Sequence, residues 1–364
     1  MLELVAGTHF EGYSHCLMKV FDKNQLPTKS ALCHARKRIS YRFFSDYLFS
    51  MLKSHKARLP LFKGLHVFAI DGCSLTLPRT KKLTQVGFTG RSVSSYSESW
   101  MLKGYLTLCH NVLSGTTHDL HFSSGSDEIS DAKDMVLKLP KNSVALYDRL
   151  FICKKLILAH HNAQNYFLMR VRRNSFTWIQ AFLESSIKKK QTTFLGAHLT
   201  LIKVRCDGKA FAYLTNLPSS FVSEKQISRL YQRRWEVETS FKDLVSTMKL
   251  EQWHSKSLNG VLQELYATLI LYNIAKLSIL PYVPKPKKRL PDEYEKPNFK
   301  LILNYIKAHI KKIIQGKQAF LKNIKKLIKH STEKRIHLKR TYPRQIRSPL
   351  SPYKYNNVLL AWEA

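Results

Sequence analysis

Two short apolar runs predict buried strands in the middle of the chain. Residues 67–70 are Val-Phe-Ala-Ile and residues 144–147 are Val-Ala-Leu-Tyr, and a continuous apolar run of this length is typical of a strand buried on both faces. Other segments with strand-like or helical spacing alternate along the chain, which predicts an α/β core. These segments are 102–113 (two strands), 130–139 and 153–162 (helices) and 166–171 (a strand).

Residues 172–209 interrupt this alternation. They include a strand-like stretch at 199–204 and predict an insertion rich in β-structure. The core resumes at 210–217. Ser223 then begins a predicted helix that continues to about residue 250, because a serine at this position can cap the first turn.

Both ends of the chain have helical patterns with many basic residues. Thr28 can cap a helix that carries apolar residues on one side and Arg36, Lys37, Arg38 and Arg42 on the other. That basic side either faces solvent or belongs to a small DNA-binding region. The same two interpretations hold for the basic C-terminal part. We therefore predict a helical, DNA-binding region at 1–60, an α/β domain at 61–255 with its insertion at about 172–209, and a basic helical region with a tail at 256–364.

The chain is strongly basic. It has 60 Lys and Arg against 25 Asp and Glu, a net charge of +35 at pH 7. Such an excess destabilises a compact protein by self-repulsion, and a polyanionic partner offsets it. Nucleic acid is the first candidate, through phosphate neutralisation and counterion release, and an anionic membrane surface is the weaker second.

Neither a membrane span nor an exported protein is predicted. The longest apolar stretch, 265–283, is broken by Asn273, Lys276 and Pro281, which favours a buried amphipathic helix. The first residues lack the pattern of a signal peptide. The six cysteines form no CxxC pair, which argues against a zinc knuckle or a disulfide framework and is typical of a reducing cytoplasm.

Asp71 and Asp148 each follow one of the two buried strand runs. A buried strand fixes the backbone while the side chain emerges at the edge of the sheet, which is the rigid placement that a metal site needs. Phosphoryl transfer to DNA uses two divalent cations, and Mg²⁺ prefers carboxylate ligands. A single aspartate of this kind is more simply a turn former or a helix cap, but two in one α/β unit favour a metal site.

The third candidate carboxylate is Glu238 on the predicted long helix. At about 100° per residue, Tyr231, Arg234, Glu238 and Lys242 fall on one stripe, whereas Glu236 points elsewhere. A surface helix with Arg–Glu–Lys ion pairs is the other interpretation. The aromatic residues Tyr231 and Trp235 are unusual on a fully solvated face, which favours contact with a phosphate backbone.

At these residues the sequence resembles the DDE transposases of bacterial insertion sequences, in the IS-four-like branch with the YREK signature. The matching segments cover nearly the whole chain, and their order and spacing together are specific. The signature's final Lys falls on Val245, and Leu150 replaces the Gly of the DRGF motif. The matches are Tyr231, Arg234 and Glu238 in the signature, Ile70-Asp71-Gly72 at the first aspartate, and Tyr147-Asp148-Arg149 with Phe151 at the second.

The resemblance implies an RNase H-like catalytic core with a β-rich insertion between the second Asp and the Glu. It also implies cut-and-paste transposition by a homodimer that binds double-stranded DNA, both the terminal inverted repeats and the target. The implied ligands of two Mg²⁺ or Mn²⁺ ions are Asp71, Asp148 and Glu238. The implied DNA-binding residues are Tyr231 and Arg234 at phosphates and Trp235 beside a flipped base. Lys242, one turn before Val245 on the same stripe, and Lys249 either replace the signature's Lys at a phosphate or the contact is lost.

We therefore expect a cytoplasmic transposase that catalyses metal-dependent DNA cleavage and strand transfer at the ends of an insertion sequence. The alternative is a degenerate or repurposed DNA-binding protein of the same fold without catalysis. A basic structural or RNA-binding protein is a third possibility, which the three spaced carboxylates disfavour.

Overall fold

The computed structural model describes most of the chain between residues 26 and 336. Asp207 next to Gly208 is predicted to be a hairpin turn residue, and Tyr342-Pro343-Arg344 resembles the basic tail of the family. Both lie outside the described residues. The chain divides into two compact units, 1–283 with 297–331 and 284–296 with 332–364. The described residues are 5, 14, 17–18, 21, 26–55, 58–90, 101–172, 175–206, 209–221, 223–282, 293–316 and 318–336.

The described elements alternate between strands and helices, as predicted for an α/β protein. The strands are β1 (His66–Leu77), β2 (Leu102–Asn111), β3 (Thr116–Ser123), β4 (Ser143–Tyr147), β5 (Tyr166–Arg170), β6 (Lys189–Phe194), β7 (Ala197–Cys206), β8 (Lys209–Thr215), β9 (Glu293–Pro297) and β10 (Thr332–Ile336). The helices are α1 (Lys29–Arg38), α2 (Arg42–His55), α3 (Lys81–Gln85), α4 (Glu128–Lys138), α5 (Lys154–Asn162), α6 (Thr177–Glu184), α7 (Glu224–Gln232), α8 (Trp235–Lys242), α9 (Leu258–Ile279), α10 (Phe299–Ile314) and α11 (Gln318–His330).

Eight strands form one sheet in the order β3-β2-β1-β4-β5-β8-β7-β6, and β9 pairs with β10 in a separate sheet. Strand β2 is antiparallel to β1 and β3, whereas β4 is parallel to both β1 and β5. The first five strands thus have the mixed order of an RNase H-like core, which confirms the predicted fold class. Strand β8 pairs antiparallel to β5, so the strands of the predicted insertion extend the core sheet.

Two apolar layers cover the sheet, one on each face. Val67 and Ala69 of β1 belong to the layer that includes α9, and Phe68 and Ile70 belong to the layer that includes α4 and α5. This division follows from the alternation of side chains along a strand. It explains why the run 67–70 is apolar at every position.

Strand β1 is longer than the apolar run predicts. It continues to Leu77 because antiparallel pairing with β2 extends from Phe68↔Asn111 to Leu77↔Leu102, although β4 supports it only as far as Ala69. The prediction that this strand ends at Asp71 is therefore wrong. The segment 102–113 forms one strand, not the predicted two, and helix α6 lies within the predicted β-rich insertion.

Strand β3 is not predicted because several of its buried positions are polar. Thr116, Thr117 and Asp119 are all at most 5 % exposed. The buried amide of Asn273 on α9 accepts from the Thr117 backbone N–H and donates to its C=O, both at 2.9 Å. This pairing satisfies groups that would otherwise be costly to bury.

Helix α9 is buried on nearly every side. The prediction of an amphipathic helix is wrong, since Gln263, Glu264, Thr268 and Asn273 are as buried as its leucines. In the described part of the chain it is the one helix, extended to Tyr282, that is long and apolar enough to cross a membrane, but most of that stretch lies inside the protein. It is therefore a central core helix.

Helix α1 is anchored to α9 by a buried ion pair. The predicted basic face includes Arg36, but Arg36 is 5 % exposed and donates to Glu264 Oε1 at 2.9 Å, to Gln263 Oε1 at 3.2 Å and to Ser255 Oγ at 3.0 Å. The Gln263 amide donates to the carbonyls of Arg36 and Ile39 at the end of α1. Thr28 caps the helix as predicted, by accepting from Ala31 N.

Removal of one partner of this ion pair should destabilise the protein strongly. We expect Arg36→Met to lower the free energy of unfolding by about 3–5 kcal/mol, because it leaves the Glu264 carboxylate buried without its guanidinium. The double variant Arg36→Met/Glu264→Met should recover part of the loss. Urea unfolding measures both. Additive effects of the two single substitutions would contradict the coupling.

Two buried histidines should make the fold sensitive to acid. Burial lowers the pKa of His110 and of His160 to about 3, from the ordinary 6.5. Because the folded pKa is the lower one, their contribution to stability is complete above pH 6.5 and is lost as the pH falls from 6.5 towards 3. Each histidine should add a slope of about 1.4 kcal/mol per pH unit in that window.

The variant His160→Gln tests this expectation, since glutamine can still bond to the Tyr147 hydroxyl that lies 2.8 Å from His160 Nε2. Urea unfolding between pH 6 and 5 should show a shallower dependence on pH than the unmodified protein, by about 1.4 kcal/mol per unit. An unchanged slope would show that His160 is protonated in the folded state.

Candidate active site

The parallel pairing of β1 with β4 brings two aspartates to neighbouring positions. The register pairs Ala69 with Leu146, and its continuation by two residues places Asp71 beside Asp148. Asp71 lies on the sheet face of Ala69, because side chains two residues apart in a strand share a face. Asp148 directly follows β4, as predicted, whereas Asp71 lies within β1 at the point where β4 ends.

The Asp148 side chain is available to bind a ligand. It is half-buried and precedes a 3₁₀ turn at Arg149–Phe151, but it makes no capping hydrogen bond to that turn. The usual structural role of an aspartate in this position is therefore not used here.

Glu238 lies on α8, which is one segment of the predicted long helix. The chain from Ser223 to Leu250 forms α7, then α8, then a π-helical turn at Asp243–Thr247. Between α7 and α8 the backbone tightens, with Arg234 N bonded to Tyr231 O at 2.9 Å and Val237 N bonded to Arg234 O at 3.2 Å. These three-residue spacings replace the four-residue spacing of an α-helix.

Arg234 connects Asp71 to Glu238. Its Nη1 lies 3.1 Å from Asp71 Oδ2, and its Nη2 lies 2.7 Å from Glu238 Oε1. The side chains of Arg234, Asp71 and Glu238 are 6 %, 20 % and 40 % exposed, so Glu238 reaches the pair from the solvent side. Glu236 instead lies 3.8 Å from Arg233.

The surroundings of Asp71 favour an additional positive charge. Burial raises the pKa of this carboxyl to about 6, although Arg234 and a hydrogen bond from Gly72 N oppose the rise. The nearby carboxylates Glu128 and Glu238 raise the pKa further. A partly buried carboxylate with acidic neighbours is stabilised by a cation.

Asp71, Asp148 and Glu238 offer carboxylate oxygens, the kind of ligand that Mg²⁺ and Mn²⁺ prefer. Asp71 lies in β1, Asp148 directly follows β4, and Glu238 lies on α8, which packs on β1 and β2. Across the described residues, no three His, Cys, Asp or Glu side chains stand close enough to enclose an ion on their own. Between Asp71 and Glu238 the Arg234 guanidinium supplies the positive charge.

The four predicted DNA-binding residues differ in exposure. Trp235 is 55 % exposed and lies over the Arg234 guanidinium at 5.0 Å, and Lys242 is exposed at the end of α8. Tyr231 and Arg234 are buried, and the Tyr231 ring packs 4.8 Å from the ring of Tyr213. Trp235 and Lys242 can therefore contact a ligand directly, whereas Tyr231 lies in the core beneath them.

Val245, at the position of the signature's final Lys, lies in the π-helical turn and packs against the core. The same turn contains Asp243, whose carboxylate accepts from Lys276 Nζ at 2.9 Å. Lys242 and Lys249 flank the turn and are exposed.

Glu128 is a further carboxylate near the site that the sequence does not predict. A Cβ at Gly72 would come within 2.7 Å of Glu128 Cγ, so the Glu128 side chain packs directly against the backbone of the residue after Asp71. Nothing in the local sequence distinguishes Glu128 from the other acidic residues at the start of α4.

The order and directions of the first five strands define an RNase H-like protein. The family profile described as "Transposase DDE domain" matches residues 63–274, more than half of the chain, and the protein belongs to this family. A putative transposase for insertion sequence element IS4SA from Synechocystis sp. is 24 % identical over 264 residues, 69 % of this chain and 72 % of the relative. The predicted relationship to insertion-sequence transposases is confirmed, and the protein is assigned to DNA transposition.

A solved structure also aligns with the chain. It is the cryo-EM structure of the piggyBac transposase synaptic complex with hairpin DNA, with 12 % identity, a TM-score of 0.45, and coverage of 96 % of this chain and 78 % of that one.

The role of Arg234 can be tested by metal binding in the absence of DNA. Arg234→Gln should tighten Mn²⁺ binding about fivefold, or about 1 kcal/mol, because the guanidinium no longer competes for Asp71 and Glu238. Isothermal titration calorimetry measures the affinity. The matched control is Arg233→Gln, which removes the same charge one residue earlier and should leave the affinity unchanged. Equal effects of both variants would contradict a specific role of Arg234.

Proposed function

We propose that this transposase cleaves DNA at the ends of an insertion sequence and joins the ends to target DNA, with Asp71, Asp148 and Glu238 as the metal-binding catalytic residues. The observation that supports the proposal is the register of β1 and β4, whose extension past Ala69 and Leu146 aligns Asp71 with Asp148, together with the Arg234 contacts to Asp71 and Glu238. Rigid elements carry the three carboxylates in this proposal: β1 carries Asp71, the end of β4 carries Asp148, and α8, which packs on β1, carries Glu238.

The three side chains would hold two Mg²⁺ or Mn²⁺ ions. When bound, the ions supply activation of a water or 3′-hydroxyl nucleophile and stabilisation of the leaving oxygen. The carboxylates set the position of the scissile phosphate relative to β1 and β4. In the absence of ions, Arg234 neutralises Asp71 and Glu238. If ions take its place at these carboxylates, its guanidinium would become available to a phosphate oxygen.

The exposed residues of α8 would bind the DNA beside the cleaved bond. The Trp235 ring is placed to stack on an unpaired base, and Lys242 one turn past Glu238 is placed to contact a phosphate. The net charge of +35 supports binding of duplex DNA, both terminal inverted repeats and target. We further propose that a homodimer binds the two ends and that the reaction takes place in the cytoplasm.

Substitution of any of the three carboxylates should abolish cleavage. We expect Asp71→Ala, Asp148→Ala and Glu238→Ala to reduce Mg²⁺-dependent nicking of a terminal-repeat duplex by a factor of at least about 10³, since each removes a metal ligand. Binding of the same duplex should change little. A gel assay of nicked product, with fluorescence anisotropy for binding, measures both.

Glu236→Ala is the matched control, because it removes a carboxylate from the same helix that contacts Arg233 instead of Arg234. It should retain cleavage. The assignment of the site is wrong if any of the three single variants cleaves as well as this control does.

The alternative is a DNA-binding protein of this family that has lost catalysis. Val245 at the position of the signature's Lys favours it, because one phosphate contact of the signature is missing there. The assay above, run with Mn²⁺ in place of Mg²⁺, decides between the two. Tight binding of terminal-repeat DNA without any nicking would support the alternative.

A further inference from the structure

We propose that four basic residues beyond the far end of β1 bind the phosphate backbone of the DNA duplex that occupies the active site, at a fixed distance from the cleaved bond. The residues are Arg79, Lys81, Lys82 and Lys256, and we call them the β1-end basic patch. The proposal rests on the proposed function, because it needs a DNA duplex at Asp71.

The patch joins two segments that are far apart in sequence. Thr80 Oγ1 donates to the Lys256 carbonyl at 2.9 Å and also accepts from Leu83 N at 3.3 Å as the cap of α3. Lys256 therefore lies beside the neighbours of Thr80 in the chain, Arg79 and Lys81. All four basic residues are exposed.

The patch is fixed to the strand that carries Asp71. The segment before Lys256 binds both backbone groups of Thr76 in β1, since Glu251 Oε1 accepts from Thr76 N at 2.6 Å and Trp253 Nε1 donates to Thr76 O at 2.7 Å. Leu77 and Leu83 are buried together in a small core cluster against which Trp253 packs. A preorganised surface loses little entropy when it binds a ligand.

The three lysines of the patch carry charges that are not neutralised within the described part of the protein. Lys81, Lys82 and Lys256 form no ion pair with a described carboxylate, and Glu251 is engaged with the Thr76 backbone. Clustered like charges repel one another, and a polyanion relieves that repulsion. The exposed lysines of α11 are also basic, but no hydrogen bond ties them to the strand that carries Asp71.

The geometry sets where on the DNA the contacts fall. Leu77 is six positions beyond Asp71 in β1, which is about 20 Å at roughly 3.3 Å per residue. The patch begins two residues further on, so it lies about 20–25 Å from the catalytic aspartate. Duplex DNA advances about 3.4 Å per base pair, so the contacted phosphates should lie about 6–7 base pairs from the cleaved bond.

The first test measures the salt dependence of binding. The probe is a duplex with one terminal inverted repeat, in EDTA, and the variants are Lys81→Gln/Lys82→Gln and Lys256→Gln. We expect the slope of log K against log salt to become shallower by about 0.9 per substituted lysine, and the affinity at 0.15 M salt to fall roughly 5-fold per lysine. Unchanged slopes would overturn the proposal.

The matched control is Lys141→Gln, with the same charge change as Lys256→Gln. Lys141 is exposed just before β4, at the end of the sheet opposite to Asp148. The control should keep the affinity and slope of the unmodified protein. Equal losses in the control and the patch variant would mean that only total charge matters, which also overturns the proposal.

The second test locates the contact on the DNA. Duplexes that end 4, 8 or 12 base pairs from the cleaved bond, on the transposon side or the flanking side, should show a step in affinity between 4 and 8 base pairs on one side. The step should be absent in Lys81→Gln/Lys82→Gln. A step that persists in that variant would contradict the assignment.

The same experiments separate this proposal from the proposed function. Loss of cleavage in the carboxylate variants tests the active site without reference to the patch. Suppose that the protein shows the expected step in affinity with duplex length, and that the lysine variants show the expected change of salt slope, but that DNA is never cleaved. That outcome would support the DNA-binding role of the patch and contradict the proposed catalytic function.

Discussion

The parallel pairing of β1 with β4 is the constraint on which the site depends. One residue of slip in this register would move Asp148 away from Asp71 and turn its side chain to the other face of the sheet. Both faces of these strands are buried, so such a slip would also move an apolar side chain from one layer to the other. The packing of two apolar layers on the sheet fixes the strand register, and the same register keeps the two aspartates aligned.

The second constraint is electrostatic. Asp71 is partly buried, and the carboxylates Glu238 and Glu128 are near enough to repel its negative charge. Arg234 relieves part of that repulsion, and the tight turn between α7 and α8 places it where it can reach both Asp71 and Glu238. The Arg234 guanidinium neutralises these carboxylates in the folded protein and is proposed to contact a phosphate oxygen during the reaction. These two roles explain why an arginine is buried next to the proposed cation site.

Hydrophobic periodicity predicts the α/β class, the position of Asp148 and the positions of most helices, because each depends on residues close together in the chain. Periodicity does not predict the length of β1, the existence of β3 or the burial of Arg36 and Glu264. They depend on partners more than 150 positions away or on pairing with another strand, such as Asn273 with Thr117. At the site, the stripe of α8 indicates Glu238, but the stripe does not show that Tyr231 is buried or that Arg234 faces two carboxylates.

The central claim is that Asp71, Asp148 and Glu238 share one metal site, and iron-mediated cleavage of the polypeptide tests it most directly. Fe²⁺ in place of Mg²⁺, with ascorbate and peroxide, generates hydroxyl radicals that cut the chain close to the bound ion. The account predicts cuts near residues 71, 148 and 238 that excess Mg²⁺ suppresses and that Asp71→Ala abolishes. Cuts at only one of these positions, or only elsewhere in the chain, would contradict it.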